Sequence, residues 1–166
     1  SALFLLLSLL PAPALGQDTE RPRLRVGEHT RELRIDGIVQ EPDWLAADSI
    51  ANLTQVEPME GGTPAGRTVV RVLADRGALY IGIIAYDPNA DGIVSQARDR
   101  DAGLANEDHI RFVLDTFLDG RTGYIFALNP SGARFDALVA NQGEGENSNW
   151  DAIWESGREH GLVAGG

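Results

Sequence analysis

The residues best placed to do chemistry in this chain are aromatic. Trp150 and Trp154 flank a short stretch that follows a loop rich in Asn and Glu, and Asn149 directly precedes the first of them. Flat rings stack on the C–H faces of sugars, while amides and carboxylates orient the hydroxyl groups. The pattern predicts a carbohydrate-binding surface at Trp150, Asn149 and Trp154. The alternative is that these rings pack, with Trp154 and also Trp44 in the core.

A second candidate site is the acidic stretch that contains Asp87, Asn89, Asp91 and Gly92. It matches the first half of an EF-hand calcium loop, in which alternating oxygen ligands wrap a hard cation. The twelfth position of such a loop needs a bidentate Glu, and Arg98 stands there instead. Calcium is the one cofactor that the sequence suggests. The competing interpretation is an ordinary β-turn with Asx hydrogen bonds.

Catalytic groups are poorly supported by the sequence. The chain contains no cysteine and no G-x-S-x-G motif, and its three His are scattered. Paired carboxylates could hydrolyse glycosides, but those present lie in turns, in loops or at a strand end, where nothing fixes their separation. These pairs are Asp99 with Asp101, Asp108 with Asp115, and Glu144 with Glu146. The sequence therefore favours a protein that is not an enzyme.

Charge and composition exclude other classes of function. The 166 residues include 14 basic and 25 acidic side chains, giving a formal net charge of −11, and every basic residue is Arg. Nucleic acids and anionic membranes both require a basic surface, so neither is predicted as a partner. An apolar share of 43% is too high for a disordered chain.

The two ends of the chain suggest export and a longer protein. Residues 1–10 are apolar and uncharged, and the small residues Ala14 and Gly16 follow, which is typical of the end of a secretory signal peptide. We therefore expect a truncated signal peptide at residues 1–16, an extended lead-in at 17–32, and a domain at 33–166 that continues past Gly166. Export places the protein in the periplasm, in the outer membrane or at the cell surface.

The rest of the chain reads as short strands separated by turns. Runs of β-branched and aromatic residues alternate with turn signals about every ten positions, which is typical of an all-β sandwich or barrel. We predict a two-sheet antiparallel β-sandwich of immunoglobulin or jelly-roll type, with a short helical turn near Trp44. The predicted strands are 33–36, 50–56, 68–73, 79–86, 94–98, 109–116, 124–128, 135–140 and 153–156, and 141–149 is predicted as a loop.

Several motifs together resemble family 9 carbohydrate-binding modules. The stretch with Ile35-Asp36-Gly37, Glu41 and Trp44 is similar to the opening signature of that family. The strand pair that ends at residues 86–88, taken together with the later strand at 109–116, is also similar to that family. Further similar positions are Arg100-Asp101, Asp108, Asp115-Thr116-Phe117, Asp119, Arg121-Thr122-Gly123-Tyr124, Phe126, Asn129-Pro130, Gly132, Asp136, Trp150-Asp151-Ala152 and Trp154.

The resemblance is strongest to a bacterial subgroup in which the module precedes a C-terminal outer-membrane β-barrel domain. It implies a β-sandwich, binding of oligosaccharide or polysaccharide ends, a role in carbohydrate catabolism, and calcium. Asp108, one of the similar positions, is a further candidate for sugar contact. The resemblance implies O-glycosyl hydrolase activity only through enzymes that carry such modules. Residues 103–107, where the family places one tryptophan of its sugar clamp, contain no aromatic residue. The alternative is an interaction or plug domain of the barrel that binds no sugar.

Overall fold

The computed structural model describes residues 22–140 and 145–160. Within them the chain forms eight strands in two four-stranded sheets, with one short α-helix and one 3-10 turn. The predicted all-β sandwich class is therefore confirmed. The predicted signal peptide at 1–16 lies outside the described residues, as do residues 17–21 of the lead-in and residues 161–166 of the domain.

The first sheet is built around a long apolar hairpin. Strands β3 (Thr68–Ala74) and β4 (Leu79–Ala85) pair antiparallel along their whole length. Asp75 closes the connecting turn by accepting hydrogen bonds from the backbone N–H groups of Gly77 at 2.6 Å and Ala78 at 2.7 Å. Two further strands, β1 (Gly27–Glu28, parallel) and β2 (Ser49–Ile50, antiparallel), pair with β3.

A short helix covers one face of this sheet. Helix α1 (Pro42–Ala46) begins with Pro at a position that needs no N–H donor, and it carries the buried Trp44. The indole packs on the backbone of Gly82, where an added Cβ would lie 3.1 Å from the ring. Arg71 of β3 donates to the backbone oxygens of Trp44 at 3.0 Å and Ala47 at 2.5 Å, which satisfies carbonyls at the end of the helix. We call residues 39–47 the first cover segment.

The second sheet is a meander of four antiparallel strands. In order they are β5 (Ile110–Leu114), β6 (Gly123–Leu128), β7 (Arg134–Ala140) and β8 (Gly145–Asn147). Ile125 and Ala137 face each other across β6 and β7 and are almost completely buried. Nearby, Leu104, Ala127 and Ala133 form a small apolar cluster. The alternation along β6 thus gives one buried face, as its pattern predicts.

A buried polar network supports that cluster. The Asn129 amide, almost fully buried, donates to the backbone oxygen of Ala97 at 2.9 Å and to Glu107 at 2.8 Å. Its oxygen accepts from the backbone N–H of Ala133 at 2.7 Å. The hydrogen bond from Asn129 is the main cause that holds the pKa of Glu107 below its ordinary value. These bonds fix the turn after β6 against the preceding loop.

Four strand predictions are wrong. In two of these segments, side chains bond to backbone groups that a neighbouring strand would otherwise use. The predicted strands 33–36, 94–98 and 153–156 form no ladder. Of the predicted strand 50–56, only Ile50 is paired, as the second residue of β2. In 94–98, carboxylates take the backbone N–H groups that a neighbouring strand would take, with Asp108 accepting from Val94 and Glu107 from Gln96. In 153–156, the Trp154 carbonyl accepts from an Arg side chain. Conversely, the predicted lead-in contains β1, and the predicted 141–149 loop contains β8, although 141–144 lie outside the described residues.

A late segment joins the two halves of the molecule. Gly37, before the helix, and Gly132, after β6, both have positive φ, at 92° and 90°. An added Cβ would collide with the Arg158 backbone at Gly37 and with the Arg158 side chain at Gly132, so this one residue contacts both loops. Arg158 and His160 also bond to the Pro130 carbonyl, at 3.0 and 2.8 Å.

Candidate functional site: the aromatic face of the second sheet

Alternate side chains of β6 place aromatic rings on the face opposite its buried Ile125. Phe126 stacks on Phe112 of β5 with ring centres 5.5 Å apart. Trp150 lies 5.0 Å from Tyr124 and 6.4 Å from Phe126, and Trp154 lies 5.3 Å from Phe126, edge to face. Residues 150–154 therefore run across this face, and we call them the second cover segment.

A buried carboxylate holds the second cover segment in place. Asp136, in the middle of β7 opposite Phe126, is completely buried. It accepts a hydrogen bond from the backbone N–H of Ala152 and pairs with Arg100 at 2.7 Å. Arg100 also reaches Asp151 at 3.1 Å and the Ala152 carbonyl at 3.3 Å. A buried charge that is paired and hydrogen-bonded in this way fixes the position of the residues around it.

A second arginine fixes Trp154. Arg134, at the start of β7, donates to the Trp154 backbone oxygen at 2.7 Å, and its guanidinium lies 5.5 Å from the indole centre. The Trp154 Nε1 is buried without a hydrogen-bond partner among the described residues. Trp154 is therefore half-buried between Phe126 and an arginine, and its polar edge does not face solvent.

Three of the four predicted sugar-contacting residues lie in or next to the second cover segment, and one serves elsewhere. Trp150 and Trp154 are both half-buried, and Asn149 beside Trp150 is exposed. Asp108 lies before β5, where its carboxylate accepts from the Val94 N–H at 2.8 Å and its own N–H donates to the Val94 oxygen at 2.9 Å. Its observed contacts tie a loop to the second sheet.

The predicted calcium residues lie in an exposed turn after β4. Asp87 accepts a hydrogen bond from the backbone N–H of Asn89 at 2.7 Å, which is an Asx turn. A 3-10 turn (Ala90–Gly92) follows, and Asp91 within it is exposed. The Asx hydrogen bond is the feature that the alternative interpretation expects, and calcium at Asp87, Asn89 and Asp91 stays a prediction.

A different group of acids does converge, around Arg100. One oxygen each from Asp101, Asp136 and Asp151 lies within 4.8 Å of the others. The Arg100 guanidinium already contacts all three, with its Nε 3.5 Å from Asp101. A guanidinium supplies the positive charge that such carboxylates require, and it would repel a dication at the same place. The arrangement fits a structural ion-pair cluster and does not fit a calcium site.

No role was predicted from the sequence for the three residues that hold the second cover segment, which are Asp136, Arg100 and Arg134. Asp136 lies between apolar neighbours in β7, and a charge in such a place is rarely buried unless it is paired. That single observation could have predicted a partner such as Arg100, although not which arginine. Nothing in the local sequence indicates that Arg134 contacts Trp154, twenty positions away.

Two surface grooves of the described part are lined by residues outside the aromatic face. One open groove of about 410 Å³ is lined by residues 51, 53–54 and 63–68, and another of about 480 Å³ by residues 25–27 and 46–48. Among residues 22–140 and 145–160, no helix has the length and apolarity needed to cross a membrane.

Comparison with known proteins gives no relative from which function could be transferred. No family model, no curated protein and no solved structure matches this chain. The resemblance to family 9 carbohydrate-binding modules therefore depends on the motifs quoted above.

Proposed function

We propose that this protein is a non-catalytic carbohydrate-binding module that uses Trp150 as its stacking platform. The observation that supports this is the environment of Trp150. Its ring packs on Tyr124 and Phe126 yet is not fully buried, and the neighbouring side chains of Asn149 and Asp151 are exposed. A ring that is held by its neighbours and still partly accessible, with an amide and a carboxylate beside it, suits a sugar face and its hydroxyl groups.

The preorganisation of the second cover segment favours binding. Asp136 and Arg100 hold the backbone at Ala152, so a ligand at Trp150 would not have to order this segment. Binding sites that are rigid before the ligand arrives lose less free energy to ordering. The similarity to family 9 modules points to the same ligand class, with oligosaccharide or polysaccharide ends as the partner.

Two acidic side chains close to Trp150 in the sequence are engaged in ion pairs, which supports binding without catalysis. Asp151 pairs with Arg100 at 3.1 Å, and Glu146 pairs with Arg111 at 2.5 Å. Glycoside hydrolysis needs one carboxyl group that is protonated and a second that is a free base or nucleophile, at a fixed separation. Asp151 and Glu146 are each held by an arginine, which favours a binding role over a catalytic one.

Titration calorimetry of the full chain against a panel of oligosaccharides tests the proposal. We expect one sugar class to bind, and Trp150→Ala to weaken binding about tenfold or more, because the stacking area is lost. Ile153→Ala is the matched control, since Ile153 is fully exposed in the same segment and should leave the affinity unchanged. Absence of binding to every sugar, or equal affinity in Trp150→Ala, would refute the proposal.

A second candidate function is an interaction or plug domain that binds no sugar. It is favoured by the grooves, because neither of those described above includes Trp150. The calorimetry distinguishes the two functions, because an interaction domain should give no heat of binding with any sugar.

A further inference from the structure

The turn between β5 and β6 has a shape fixed by two aspartates. Asp115 accepts hydrogen bonds from the backbone N–H groups of Asp119 at 3.2 Å and Gly120 at 2.8 Å. Asp119 in turn accepts from the backbone N–H groups of Arg121 at 2.7 Å and Thr122 at 2.8 Å, and from the Thr122 hydroxyl at 2.9 Å. The carboxylates on both sides of the tip are thus engaged within the turn, which is rigid for a surface connection.

This rigid turn presents two large apolar side chains to solvent. Phe117 is 71% exposed and Leu118 is 89% exposed. Leu118 also has a φ of 54°, in the left-handed region that bulky residues rarely adopt. Exposure of apolar surface and a strained backbone both oppose folding of the isolated chain. When both occur at one fixed tip, they indicate a role outside the fold.

Area and charge identify the partner. Two side chains cover far less than the roughly 800 Å² per partner of a standard protein interface, so the tip alone is too small to hold a second protein. A bilayer imposes no minimum area, because transfer of apolar surface into it is favourable in proportion to that area. With a net charge of −11, the chain is repelled by anionic lipid headgroups and not by zwitterionic ones.

We propose that Phe117 and Leu118 form a lipid-contacting tip that inserts shallowly into zwitterionic bilayers. Val113, on β5 close to the turn, is 52% exposed and enlarges the apolar surface at this end of the hairpin. This activity is independent of sugar binding at Trp150, since it uses a different turn and a different ligand.

The absence of cysteine makes the test direct. Thr116→Cys, next to the tip, provides a single site for the environment-sensitive fluorophore NBD, in the otherwise native full chain. Arg76→Cys gives a matched label on the exposed turn between β3 and β4. With phosphatidylcholine vesicles we expect NBD emission at position 116 to rise severalfold and shift to shorter wavelength. Emission at position 76 should stay unchanged, which would show that the change at position 116 is local to the tip.

Two variants in the Thr116→Cys background complete the test. Phe117→Ser with Leu118→Ser should abolish the emission change. Leu118→Gly should weaken it at least threefold while raising the thermal midpoint, because glycine accepts the left-handed conformation without strain. The proposal is overturned by an unchanged signal at 116, by a signal that survives the double substitution, or by an equal or larger signal on phosphatidylglycerol vesicles.

Discussion

Each cover segment packs tryptophan on one of the two sheets, but the rings are buried to different extents. In the first, Trp44 is only 6% exposed and lies directly on the backbone of Gly82. In the second, Trp150 and Trp154 lie on the ring of Phe126 and remain half-buried. A glycine beneath a tryptophan lets the ring reach the sheet, whereas an aromatic ring beneath it raises it towards solvent. The residue under the tryptophan thus separates a core residue from a candidate binding platform.

The two segments also differ in what attaches them. The first is held by apolar burial and by Arg71, which donates to the carbonyl oxygens of Trp44 and Ala47. The second is held by Asp136, a completely buried charge, together with Arg100. Apolar burial contributes to stability in proportion to area, whereas a buried ion pair contributes mainly through the cost of removing one partner.

The largest effect should come from Trp44→Ala. It removes the main buried ring of the first cover segment, and we expect the free energy of unfolding to fall by about 4 kcal/mol. Urea denaturation followed by circular dichroism measures the change. Trp150→Ala serves as the comparison and should cost less than half as much, because its ring is already partly exposed. Equal losses would contradict the distinction between core ring and platform.

Asp136→Asn should have the next largest effect, on the second cover segment. The amide is neutral, so Arg100 loses its buried counter-ion, and we expect a loss of about 3 kcal/mol in the free energy of unfolding. Asp101→Asn removes a more exposed partner of the same arginine and should cost no more than about 1 kcal/mol. The same denaturation experiment distinguishes them. If the two variants were equally stable, Asp136 would not be the anchor of this segment.

Gly82→Ala tests the contact beneath Trp44 directly. The new methyl group would meet Val39 at 2.9 Å and Trp44 at 3.1 Å, so the first cover segment must shift. We expect a loss of about 1–3 kcal/mol, the usual cost of overpacking a core. Gly145→Ala is the matched control in a strand, because its Cβ would meet nothing within 4 Å. A neutral Gly82→Ala would show that the ring does not rest on this backbone.

The sequence predicted the hairpins better than the segments that cover them. Strands β3 to β7 were recognisable because their pairing partners lie nearby in the chain and their apolar residues alternate or run together. The segments at 94–98 and 153–156 have similar composition but form no ladder. Their positions depend on contacts such as Glu107 with Gln96 and Arg134 with Trp154, and the latter pair is separated by twenty residues.

The site was predictable to the same degree. Trp150 and Asn149 were predicted as candidates from composition, because a ring beside polar side chains is a local pattern, and this stays a prediction. Asp136 as the anchor was missed, since its role depends on Arg100, which is 36 positions away. Local periodicity does not encode which distant side chain neutralises a buried charge.

The smallest effect is expected on the thermal stability at acid pH. It concerns Asp75, in the turn between β3 and β4 of the first sheet. Backbone N–H groups of Gly77 and Ala78, followed by the His29 side chain, lower the pKa of Asp75 from 3.8 to about 2. Since the fold favours the ionised form, this contribution to stability is complete above pH 3.8. It is lost as the pH falls from 3.8 towards 2, where Asp75 becomes protonated in the folded protein too.

Asp75→Asn checks this pH dependence, because asparagine keeps the shape of the side chain and removes its charge. The thermal midpoint of the variant should lie below that of the native chain by a constant amount from pH 6 to about pH 4. Below that range the two curves should converge, because the native chain alone loses the Asp75 contribution. His29 lies 2.9 Å from Asp75 and connects the end of β1 to this turn, so the convergence would report on how firmly the N-terminal strand is attached. Curves that stay parallel down to pH 2 would mean that the Asp75 carboxylate does not stabilise this turn.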